Sequence, residues 1–95
     1  LRGEELQLRT EVTTAVQGVT TSRQIVELQE RIRATAAEEL RLAQERFRLG
    51  LASSIEVADA QTNLSQAERD EINARYELQR AIAALESLVG GTLRP

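Results

Sequence analysis

The sequence predicts an all-α chain: a long antiparallel helical hairpin of coiled-coil type, assembling further into a helical bundle. Three observations predict it. Ala, Leu, Gln, Glu and Arg, all strong helix formers, fill both halves. Apolar residues recur at spacings of three and four. The single proline is Pro95, and a glycine near the centre, Gly50, is followed by the pair Ser53-Ser54. The reading is one hairpin over residues 1–95, with a helix at about 4–49, a turn at about 50–53 and a helix at about 54–89. The chain has no initiator methionine and begins within the periodic pattern, so we expect a fragment of a longer protein.

The first helix carries the stripe Ile25, Leu28, Ile32, Ala36, Leu40, Ala43 and Phe47. Val12, Ala15 or Val16, and Val19 continue it upstream. Glu5/Arg9 and Glu27/Arg31 stand at i,i+4 in the favourable order on the exposed side. The stretch TEVTTAVQGVTTS, Thr10 to Ser22, is rich in β-branched residues, and propensity alone permits a strand there. Its apolar spacing of three to four favours helix, with Gly18 as a weak point or a close helix contact.

The turn has its own chemistry. Gly50 follows the last periodic residues of the first helix, where a left-handed residue ends a helix at low cost. Ser53 stands three before Glu56, the capping-box spacing, so its hydroxyl can accept from the Glu56 amide while the Glu56 carboxylate reaches back. Ala52 and Val57 occupy the staple positions. Gly50, Ser53 and Glu56 are therefore the turn and cap residues. Leu51 is not needed for any of this, and an apolar residue at a hairpin tip is either incidental or a docking point. Arg46 and Arg48 read as cations facing the negative end of the first helix.

The second helix has the clearer period. Val57, Leu64, Leu78 and Leu85 form one seven-residue series, with Glu71 in the missing place. Ala60, Ala67, Ala74, Ala81 and Leu88 form another, offset by three. Ile72, Ile82 and Val89 make a partial second stripe beside the seam. Glu71 reads as pairing with Arg75 on a partly wet face. Asp59 reads equally as an early-helix acid favoured by the dipole. The helices at these lengths would be roughly 65 and 50 Å long, and a lone hairpin has too little core for that, so further helices should flank it.

Composition excludes several functions. Hydrophobic residues are 41% and charged residues 28% of the chain, with a net charge of −3. All twelve basic residues are arginine, and they form no basic stripe; Phe47 and Tyr76 are the only aromatics, so nucleic-acid binding is not expected. Cysteine, histidine and lysine are absent, and two rods offer grooves rather than pockets with convergent groups. No enzyme activity, cofactor or metal is expected. No run of about 18 apolar residues exists.

Phe47-Arg48-Leu49-Gly50-Leu51, then Glu56-Val57-Ala58-Asp59-Ala60-Gln61, then Leu64 and Ala67, resembles the repeat of the TolC-like outer-membrane efflux proteins. That pattern is an aromatic, two residues, glycine, an acidic-Val-x-x-Ala-x run and a long helix. Tyr76, Ala81, Ala84, Leu85 and Gly90 fit its closing segment, and the resemblance covers roughly residues 8–91. It implies a trimeric parent whose strand pairs build a shared outer-membrane barrel and whose helices form a periplasmic tunnel. It implies that Leu49, Gly50 and Leu51 form the tip that docks a periplasmic adaptor of an inner-membrane pump. It also implies that Glu56 and Asp59 are acids at the tunnel entrance. Two departures matter. Ala52 stands where the gating repeat usually has arginine, so no charge-paired latch is expected, and the acid is Glu56 where aspartate is commoner.

The resemblance thus implies the periplasmic hairpin, plausibly of the C-terminal repeat, of an efflux or type I secretion channel. The alternative is a structural or adaptor coiled-coil hairpin, such as a periplasmic membrane-fusion adaptor, with no channel role. No strand of about ten alternating residues appears, so this segment does not itself insert in a membrane.

Overall fold

The computed structural model describes residues 2–93, with side chains over 3–90. Two helices make the all-α hairpin: α1, Arg2–Arg48, and α2, Ser54–Leu93. No strand occurs among the described residues. The Thr10 to Ser22 stretch is helical throughout. Gly18 lies on an exposed position with nothing near where a Cβ would be, so it marks no close helix contact. Thr10 and Thr20 hydroxyls donate to the carbonyls of Leu6 and Val16 one turn back, which satisfies them without leaving the helix.

The ends differ from the expectation. α1 starts at Arg2 and stops at Arg48, one residue short of Leu49. α2 does not stop at Gly90 and Gly91 but runs to Leu93. Glycine in a helix costs about 1 kcal/mol each, a local cost that the packing of an established helix can override.

The chain divides into two compact units: residues 1–26 with 74–95, and residues 27–73. In the first, Leu8, Val12, Ala15, Val19 and Val26 on α1 are buried or half-buried, as are Ala74, Leu78, Ala81, Leu85 and Leu88 on α2. Val16 is exposed, so Ala15 is the seam residue. In the second unit, Ala36, Leu40 and Ala67 are buried, and Ala43, Val57, Ala60 and Leu64 are half-buried around them. Both heptad series of α2 point inward over the described side chains.

The stripe expected on α1 is corrected above Ala36. Ile25, Leu28 and Ile32 are exposed, and Val26, Gln29 and Arg33 point inward instead. The reason is phase. The series 28–32–36–40 steps by four each time, and each such step rotates the side chain about 40° past a full turn on a 3.6-residue helix. A two-helix seam needs threes and fours in alternation. The series 26–29–33–36–40–43 satisfies that; the more hydrophobic one does not. Phe47, the last residue of the expected stripe, is 51% exposed beside the turn.

Charge on the surface also differs in detail. Glu38–Arg41, Glu45–Arg48 and Glu77–Arg80 pair at i,i+3. Glu5/Arg9 and Glu27/Arg31 form no ion pair among the described residues. Long exposed side chains gain little from such contacts.

Candidate functional site: the turn and the faces beside it

The turn is built by backbone geometry. Gly50 has φ of 76°. Its amide donates to the Phe47 carbonyl at 3.0 Å, and the Leu51 amide donates to the Arg46 carbonyl at 2.7 Å. These two bonds are the Schellman pair that closes a helix through a left-handed residue. α2 then opens with the Glu56 amide donating to Ser53 Oγ at 3.3 Å, the forward half of a capping box.

The reverse half is replaced. The Glu56 carboxylate faces Arg46, with Oε2 3.7 Å from Nη1. Arg46 also donates from Nη2 to the Leu51 carbonyl at 3.3 Å. One guanidinium thus holds the end of α1, the loop and the start of α2. The arginine was legible in the sequence as a last-turn cation; its partner, ten residues on, was not.

Leu49 and Leu51 project from this frame, together with Phe47 and Ile55; Leu51 is 66% and Ile55 69% exposed. Four large apolar side chains therefore cluster about a rigidly closed turn. Asp59 is exposed, forms no ion pair among the described residues and is not drawn into the turn. Of the expected residues, the structure brings Gly50, Ser53 and Glu56 together, sets Leu49 and Leu51 outward beside them, and leaves Asp59 apart.

Glu45, just before the turn, has its carboxyl held below the ordinary range by the hydrogen bond from Arg48, whose own pKa is raised in return. Glu38 is lowered in the same way by Arg41.

Away from the tip, Glu71 is half-buried and reaches across to α1. Its carboxylate accepts from Arg33 Nε of α1 at 2.5 Å, and its side chain is only 15% exposed. On one face at this height lies a hollow of about 370 Å³ lined by Arg31, Ile32, Thr35, Ala36, Glu39, Asn63 and Ala67. Two of its lining residues, Ala36 and Ala67, are buried alanines. Ile72 lies nine residues beyond Asn63, half a rotation round α2 at about 100° per residue. It therefore points from the opposite face, 65% exposed.

A model of outer membrane efflux proteins matches residues 1–91. The chain belongs to the outer membrane efflux protein family. No curated protein and no solved structure matches it. The match agrees with the resemblance expected over roughly residues 8–91, and the family is one of efflux transport. Among the described residues, no helix is long and apolar enough to cross a membrane, and no group of three or more acidic residues is placed to hold a metal ion.

Proposed function

We propose that this chain is the periplasmic hairpin of an outer-membrane efflux or secretion channel, forming part of the tunnel wall and ending in an adaptor-docking tip. The carrying observation is the placement of apolar groups on both faces of the residue 27–73 unit. The Arg33–Glu71 contact sets residues 32 and 72 at one height. Ile32 lines the hollow on one face, and Ile72 projects from the other. A hairpin of this kind is satisfied by a neighbour on each side, and repeated side-to-side contacts of unlike faces generate a closed ring.

The tip reading rests on Leu49 and Leu51, held outward by the Schellman bonds and the Arg46 clamp. Its partner is the periplasmic adaptor of an inner-membrane pump, and the parent is a trimer. Glu56 serves the turn first. With Asp59 it leaves the entrance acidic, which biases the charge of passing solutes without any bond being made or broken.

The test uses the parent protein in its membrane. Cysteines at Ile32 and Ile72 should cross-link between hairpins on mild oxidation, and Leu51→Asp should abolish adaptor binding while leaving the ring intact. No cross-link with full channel assembly would remove the wall reading. Unchanged adaptor binding would remove the tip.

A further inference from the structure

We propose that Arg33 and Glu71 select the helix that α1 accepts and the height at which the two seams meet. Each seam carries a single charged residue, and the two are opposite in sign. On α1 the inward series runs Val26, Gln29, Arg33, Ala36, Leu40 and Ala43; on α2 it runs through Val57, Ala60, Leu64, Ala67 and Glu71. Gln29 apart, the remaining layers of this unit are leucine, valine or alanine, and they look alike after a shift of one heptad. A shift in one sense sets Arg33 against Leu64; a shift in the other sets Glu71 against Leu40. Each separates Arg33 from Glu71 and sets an apolar side chain against one of them, so the half-buried Glu71 carboxylate loses its bond across the seam.

The same rule rejects wrong partners. A second copy's α1 offers no seam acid to Arg33, and a second copy's α2 offers no seam cation to Glu71. In a bundle built from many copies of near-identical Ala/Leu seams, this pair makes α1-with-α2 the satisfied combination. One polar residue at a seam position is a known means of specifying register at some cost in stability. A further polar residue lies one turn away, where Gln29 Oε1 is buried without a hydrogen-bond partner among the described residues. The turn restrains register near Gly50, and the pair acts several helical turns further on.

Spin labels on cysteines replacing Ala34 and Arg69, both exposed, read the register in the parent protein, with labelled chains diluted into unlabelled ones so that only distances within one hairpin are seen. The native pair should give one narrow distance distribution. Arg33→Leu with Glu71→Leu should stay helical but give at least two populations, displaced along the axis by about 10 Å for seven residues. Arg33→Glu or Glu71→Arg alone should broaden the distribution, and the two together should restore one narrow peak. A single unshifted peak in the double-leucine variant overturns the proposal. So does a failure of the swapped pair to recover what either reversal loses, a readout that serves even where the double-leucine chain does not fold.

Discussion

Arg33 Nε lies 2.5 Å from Glu71 Oε1, a direct bond between α1 and α2 across a seam that is otherwise mostly alanine and leucine. The two partners are not equivalent. Glu30 and Glu68 also act on Arg33 by Coulombic attraction. Removing the arginine leaves acids facing one another, whereas removing Glu71 leaves a cation that still has acidic neighbours. Arg33→Ala should therefore destabilise more than Glu71→Gln. With the arginine side chain 41% exposed, solvent screening keeps the loss for Arg33→Ala small. Urea midpoints at one fixed protein concentration check the ranking, and equal losses would count against it.

Gln29 should behave in the opposite sense. Its buried amide oxygen has no hydrogen-bond partner among the described residues, and an unmet buried acceptor costs roughly 1–3 kcal/mol. Gln29→Leu removes that cost and adds apolar surface to the seam. The urea midpoint should rise, by an amount equivalent to about 1 kcal/mol.

Gly50 and Ser53 separate backbone strain from capping. No atom lies within reach of a Cβ built on Gly50, so steric crowding is not the obstacle to substitution. Its φ of 76° is. Gly50→Ala should cost about 1–2 kcal/mol from the left-handed backbone alone, and Gly50→Asn should cost less. Ser53→Ala removes the acceptor for the Glu56 amide and should cost about 1 kcal/mol. Thermal melts of the three variants test the order.

Glu38 and Glu45 predict an acid limb. Arg41 and Arg48 hold their carboxyls below the ordinary glutamate value. A depressed folded-state pKa adds stability above the unfolded-state pKa, and that gain is lost as pH falls through the folded value. Melting temperature should fall as pH drops from about 5 to about 3. Glu38→Gln with Glu45→Gln should make that fall shallower, and added salt should blunt it.

Dilution tests the need for neighbours. Only Val26, Ala36, Leu40, Ala67 and Ala74 are buried apolar residues among those described, while leucines, isoleucines and valines are exposed along both helices. A core that small does not hold helices of 47 and 40 residues by itself. Circular dichroism should lose helix signal as the chain is diluted from micromolar to nanomolar concentration. A constant signal would mean that the hairpin is self-sufficient.

Much of the architecture was legible in residue types alone. Helix formers without internal proline, a central glycine and the Ser53-to-Glu56 spacing encode helix, reversal and helix, because propensity, capping and left-handed backbone are local effects. The α2 seam was equally readable, since its heptad series has no close rival. On α1 two stripes one residue apart compete, Ile25-Leu28-Ile32 and Val26-Gln29-Arg33. Hydrophobicity favours the first, and only packing against α2 decides for the second, because continuous side-by-side contact holds the period to 3.5 residues. The bonds from Arg33 to Glu71 and from Arg46 to Glu56 belong to the same class. They join residues distant in sequence, and no local pattern reports a contact that exists only once the chain has folded back.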